Sequence, residues 1–135
     1  MEPQMNADEH GLNQITEKII GRAYHVSNTI GCGFLEKVYE NAMVVALRQI
    51  GLRVEQQVRF PVVFEGVVVG EYIADLVIEG IILVEIKAVK AFDEIHEAQC
   101  LNQIRASNLP ICLLINFAEA RLALKRVVGP NFPSS

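Results

Sequence analysis

The chain lacks any apolar run long enough to cross a bilayer. Its longest candidates, Ala42 to Leu47 and Ile111 to Ile115, fall far short of the roughly 18–20 residues a span needs. The opening segment, MEPQMNADEHGLNQ, has neither a basic start nor an apolar stretch, so no secretory signal is expected in it. Cysteine is scarce and odd in number: Cys32, Cys100 and Cys112. No CxxC or HxxxH spacing is present, which argues against a structural zinc site. Unpaired thiols without an export signal point to a reducing, cytoplasmic setting, and each cysteine reads as a small buried hydrophobe. Gly31-Cys32-Gly33 has neither the lysine nor the strand context of a phosphate-binding loop. There is no internal repeat and no low-complexity segment.

Positive charge is not in excess either. The 12 bases and 16 acids leave a net charge of −4, and the pI is near 5.4. Four of the acids, Glu2, Asp8, Glu9 and Glu17, precede the first base, Lys18, so the body of the chain is formally neutral. That is a poor endowment for a protein living by non-specific attraction to phosphates. A nucleic-acid role must rest on a local site, a metal ion or a partner.

What is present suits a packed core. Hydrophobic residues make up 51% of the 135, and the mean hydropathy is +0.28. The length fits one domain. We expect a flexible acidic tail over 1–11, a single domain over 12–129 and a C-terminal tail over 130–135. A helix is predicted from Asn13 to about Asn28, with Ile15, Ile19, Ala23 and Val26 at helical spacing. A second runs from about Phe34 to Ile50, its apolar side supplied by Leu35, Val38, Ala42, Val45 and Leu47, with Gly51 as its stop. Val54, Gln56, Val58 and Phe60 alternate as one strand face. A turn at Phe64–Val67 leads to a strand from Val67 to Val77, with Gly70 as a bulge or bend. Glu79-Gly80 reads as a hairpin turn before Ile81–Val89. Asp93 is a natural N-cap for a third helix reaching Ser107, its Ile95, Ala98 and Leu101 lying toward the buried side and His96, Gln99 and Gln103 forming one polar face. Ile111–Asn116 is an apolar strand covered on both faces, and Leu122–Val128 is the last strand. The order α-α-β-β-β-α-β-β is met most simply by an α/β fold, a mixed central sheet flanked by helices.

Chemistry concentrates in Tyr72–Val89. Two apolar strands there carry Asp75, Glu85 and Lys87. Glu85 and Lys87 share a strand face, while Ile82, Val84 and Ile86 share the other, core-facing one. Whether Asp75 joins them depends on the parity of the hairpin loop. Two loop residues would point the carboxylates to opposite faces; three would bring them to one, and Gly80 suits the left-handed position such loops need. We expect an odd loop, or an equivalent bulge. Two converging carboxylates beside an ammonium suit a hard divalent ion, Mg²⁺ or Mn²⁺. The plain alternative is a solvated charge cluster of little energetic weight.

Asp75 followed by Glu85-Ile86-Lys87, on two strands and ahead of a helix, resembles the PD-(D/E)XK nuclease superfamily. Gly33-Phe34-Leu35-Glu36-Lys37-Val38-Tyr39 matches the naming motif of its GxxExxY family, and His96-Glu97-Ala98-Gln99 and Leu113–Phe117 are similar to that family too. The resemblance spans about 13 to 128; Ala74 stands where the superfamily name has proline. It implies a restriction-endonuclease-like three-layer core and a metal-dependent nuclease acting on nucleic acid, with DNA the expected substrate. It further implies that Asp75, Glu85 and the Ile86 carbonyl hold the ion, and that Lys87 orients the attacking water and stabilises developing charge.

Further candidates surround this set. Glu36, in the first turn of its helix, is favoured by the helix dipole and is read either as an additional acid at the metal site or as a helix-stabilising carboxylate. Tyr39 serves packing or substrate contact. By resemblance to the exonuclease-like branch, Gln99 would orient the lysine or a phosphate; otherwise it is helix surface. His96 could carry a proton, and Lys90 and Arg105 could meet phosphate or simply be solvated. A nuclease-fold module that binds nucleic acid or a protein without turnover is the competing reading. A homodimer through a strand edge or helix face is compatible with both, and no membrane is expected as a partner.

Overall fold

The computed structural model describes residues 8–118 and 120–133. Its elements run α1 (Glu9–Ile30), α2 (Glu36–Gln49), β1 (Val54–Phe64), β2 (Val67–Ile78), β3 (Ile82–Lys87), α3 (Glu94–Ser107), β4 (Ile111–Asn116) and β5 (Ala123–Val128). That is the order anticipated from the sequence. The five strands lie in the sheet in chain order, antiparallel except for the parallel β3–β4 pair joined through α3. Among the described residues no helix is long and apolar enough to cross a membrane.

Three layers result. Helices α1 and α2 bury Leu12, Ile15, Ile19, Tyr39, Met43 and Leu47 against Leu76, Ile78, Ile82, Val84, Ile86, Leu113 and Ile115. On the opposite face, Cys100 and Ile104 of α3 meet Ala74, Val77, Leu83, Cys112 and Leu114. Strands β3 and β4 are thus covered on both sides, which is why they read as unbroken apolar runs.

Several boundaries and faces differ from expectation. Helix α1 starts at Glu9, because the Asp8 side chain accepts from the Gly11 amide at 2.7 Å and caps it; positions 9–11 are helix, not tail, and 1–7 lie outside the described residues. At the other end, Phe132 is half-buried beneath the Arg126 guanidinium, 4.9 Å from its ring centre, so 130–133 dock on the body, while 134–135 lie outside the description. The inward stripe of α2 is Tyr39, Met43, Ala46 and Leu47; Leu35, Val38 and Val45 are exposed. Helix α3 is turned from its anticipated orientation: Ile95, Ala98 and Leu101 face outward, and Cys100, Gln103 and Ile104 face the sheet. Cys32 is exposed, unlike the other two cysteines.

The β1–β2 ribbon also changes face partway. Val54 packs with the α1/α2 layer, yet Val58 and Phe60 pack with the α3 layer. Leu76 and Ala74 divide in the same way on β2. Between these pairs sit Gln57 and Asp75, bracketed by the pairings Gln56↔Leu76 and Val58↔Ala74. Gln57 has φ 54°, a left-handed conformation uncommon outside glycine. The backbone kink at this level reverses which side chains point inward.

Candidate active site

The β2–β3 ladder pairs Ile78↔Ile82, Val77↔Leu83 and Leu76↔Val84, then stops. Ile78 and Ile82 enclose a loop of Glu79, Gly80 and Ile81, the odd loop expected from the sequence. Glu79 and Gly80 both have positive φ. Glu79 is buried and fixed by Arg53, whose Nε donates to its Oε2 at 2.8 Å. This parity places Asp75 opposite Glu85.

Where the ladder stops, the two carboxylates take over its hydrogen bonds. The Asp75 amide donates to Glu85 Oε1 at 3.1 Å, and the Ile86 amide donates to Asp75 Oδ2 at 2.8 Å. Each acid is thereby locked to the opposite strand. Glu85 is 6% exposed and Asp75 half-buried. Burial, then repulsion from Asp75, pushes the Glu85 carboxyl up to about 7. Burial pushes Asp75 up as well, with Glu40 adding to it and the Ile86 amide, Gln57 and Lys87 opposing. A crowded, desolvated pair of acids whose protons are held this strongly is short of positive charge.

Around the pair, the sequence candidates fall into two groups. Lys87 is half-buried at the end of β3 and attracts both carboxylates. Glu36 reaches the same strand end, its Oε2 accepting from the Ala88 amide at 3.2 Å. Tyr39 is fully buried: it stacks on Phe117 at 4.6 Å, donates to the Gly31 carbonyl at 2.7 Å and accepts from the Phe34 amide at 3.2 Å. It therefore fixes the loop leading to Glu36 and has no surface left for a substrate. His96 Nδ1 accepts from the Asp93 amide at 3.1 Å, completing a capping box at the start of α3. Gln99, Lys90 and Arg105 are exposed; Arg105 lines a shallow cavity of about 350 Å³ with Tyr72, Asn102 and Val62.

Four residues at the site had not been singled out for a role there. Gln103, one turn beyond Gln99, is 4% exposed, hydrogen-bonds Glu85 and leaves its own Oε1 buried without a partner. Gln57 Nε2 bridges Glu40 Oε1 at 3.0 Å and Asp75 Oδ1 at 3.3 Å. Glu40, 4% exposed, is held in turn by Gln56 Nε2 at 2.6 Å and Lys37 Nζ at 2.9 Å. Asn116 clamps the chain after Lys87: its Nδ2 donates to the Val89 carbonyl at 2.7 Å and its Oδ1 accepts from the Val89 amide at 3.1 Å. The visible signals were an amide pair, Gln56-Gln57, inside a strand, and one asparagine closing an otherwise apolar run.

The family model of the PD-(D/E)XK nuclease superfamily matches residues 13–127. This chain belongs to that superfamily. A search of curated proteins and a search of solved structures each found no match. The restriction-endonuclease-like α/β architecture agrees with the membership. PD-(D/E)XK nucleases generally use divalent metal ions, and the donors here fit one: two acids with raised affinity for positive charge face each other where the strands part. Among the described residues no group of three or more His, Cys, Asp and Glu side chains is arranged to hold an ion. Two carboxylates leave further coordination positions open, unlike the four protein ligands of a closed structural zinc site.

Proposed function

We propose that the protein is a divalent-metal-dependent nuclease of the GxxExxY branch that hydrolyses phosphodiester bonds, with DNA as its substrate and Mg²⁺ or Mn²⁺ as its cofactor. The observation that carries this reading is the Asp75–Glu85 pair, brought face to face by the three-residue loop with Lys87 beside it. Asp75 and Glu85 would hold the ion together with the Ile86 carbonyl, and Glu36 would contribute through water. When bound, the ion supplies a polarised phosphate and a water of lowered pKa. Lys87 orients the attacking water and balances charge developing on the phosphate. Gln103 and Gln57 hydrogen-bond the two carboxylates, Glu85 and Asp75 respectively, and so would fix their orientation toward the ion. Lys90 and Arg105, both exposed, would offer cationic contacts to phosphates of the bound strand. Three unpaired thiols suit a cytoplasmic location, and a homodimer is compatible with the exposed edge of β1.

Cleavage of single- and double-stranded DNA, assayed with Mg²⁺, with Mn²⁺ and with EDTA, tests the proposal. Asp75→Ala, Glu85→Ala and Lys87→Ala should each abolish cleavage while the circular dichroism stays native. Cleavage that survives all three changes, or persists in EDTA, would remove this site from the reaction. The formally neutral body favours one rival, a module that binds without turnover. Metal-independent binding with no cleavage in either metal would establish that rival.

A further inference from the structure

We propose that Cys100 and Cys112 are an oxidative modification site, closing to an intramolecular disulfide when the protein meets hydrogen peroxide. The two residues come from different elements, α3 and β4, and both are fully buried. Their sulfurs are 3.1 Å apart, with Cys112 donating to Cys100. A disulfide bond is about 2.05 Å long, so closure needs an approach of roughly 1 Å. Side-chain rotation with a small shift of α3 supplies that. The residues packed with them, Ala74, Val77, Leu83, Ile104 and Leu114, are apolar, and the Glu85 and Asp75 carboxylates lie near enough to act on the Cys112 thiol. The hydrogen bond to Cys100, together with burial, pushes the Cys112 thiol well up. Reaction therefore proceeds through openings of α3 and is slow, as befits a response to sustained oxidant.

The chemistry balances without a further reactant. One sulfur attacks a peroxide oxygen, giving a sulfenic acid and a water. The second thiol displaces the sulfenic hydroxyl, which leaves as water with that thiol's proton. Two thiols and one hydrogen peroxide become one disulfide and two waters. The link would pin α3 to β4 directly beneath the carboxylate pair. Cys112 lies opposite Leu83, two residues along from the Leu114 that faces Glu85. Gln103 follows Cys100 by less than one turn of α3.

Trypsin separates the two cysteines, since Cys100 falls in Ala91–Arg105 and Cys112 in Ala106–Arg121. The full-length chain carrying Cys32→Ser, which removes the exposed thiol, would be treated with hydrogen peroxide. It would then be alkylated under denaturing conditions and digested without reductant. The expected product is a linked peptide pair, lighter than the two free peptides by two hydrogens. It should vanish on reduction and be missing from Cys100→Ser and Cys112→Ser. Full alkylation of both thiols after peroxide, or their recovery as unlinked sulfinic acids, would overturn the proposal. The map of the Cys32→Ser chain decides the matter even if a serine at either buried position prevents folding. The outcome does not depend on whether the protein cleaves DNA.

Discussion

Replacing Glu85 by glutamine should make the metal-free protein more stable while destroying its capacity for metal. Glu85 holds its proton to about 7 in the fold, against an ordinary 4.5. The folded state therefore binds more protons than the unfolded chain between those values, and stability must fall as pH climbs through that window. Above it the loss is complete, at roughly 3 kcal/mol. Asp75, also pushed up, acts in the same direction. Glutamine keeps an oxygen to accept from the Asp75 amide but carries no charge. Urea unfolding in EDTA, from pH 4.5 to 8.5, should show Glu85→Gln near the wild type at the acid end. Toward pH 8 the variant should gain on it by up to roughly 3 kcal/mol. Comparing the two proteins at each pH cancels the shared carboxylates that do not touch Glu85; Asp75, which repels it, is relieved in the variant and adds to the variant's gain at high pH. Adding Mg²⁺ at about 100 times its Kd should restore about 2.7 kcal/mol to the wild type at pH 8 and little to the variant. A stability difference that stays flat with pH, or that favours the wild type in EDTA at pH 8, would refute the view of Glu85 as a buried, charge-starved acid.

Other perturbations follow the same geometry. Gln57→Ala removes the bridge between Glu40 and Asp75, and calorimetry should show Mn²⁺ affinity weakened about tenfold, the low end for a residue behind a metal ligand. Tyr39→Phe deletes the hydroxyl that joins Gly31 to Phe34; it should cost about 1–2 kcal/mol in urea unfolding and lower cleavage by loosening the approach to Glu36. Gly129→Ala would drive a methyl into Ile104 Cγ2, and calorimetric melting should report a loss of about 1–3 kcal/mol from overpacking.

How far the sequence announced all this varies by element, for physical reasons. Strands β3 and β4 were legible because burial on both faces leaves little but apolar side chains, so Glu85 and Lys87 stood out by contrast. The loop could be argued from parity alone, since a strand admits only two faces. Asp93 was legible as a cap because capping is local. The span of helix α3 was legible too, but the face it turns to the sheet was not. The helix turns Gln103 inward because a buried carboxylate awaits it there, and leaves Ile95 64% exposed. Tertiary context overrides the periodicity there. The kink at Gln57 was equally hidden, as nothing in a glutamine announces a positive φ. The alternation of Val54 through Phe60 looked continuous although the ribbon reverses its inner face midway.

The three residues between Ile78 and Ile82 have a consequence for how such a protein can change over time. Gain or loss of a single residue there would rotate Asp75 and everything before it on β2 by half a turn relative to Glu85, separating the acids without altering either one. The loop can change in length only in steps of two, and its buried Glu79 and left-handed Gly80 narrow what it can change in composition. Any descendant that breaks this rule would inherit the whole motif in letters and none of its chemistry.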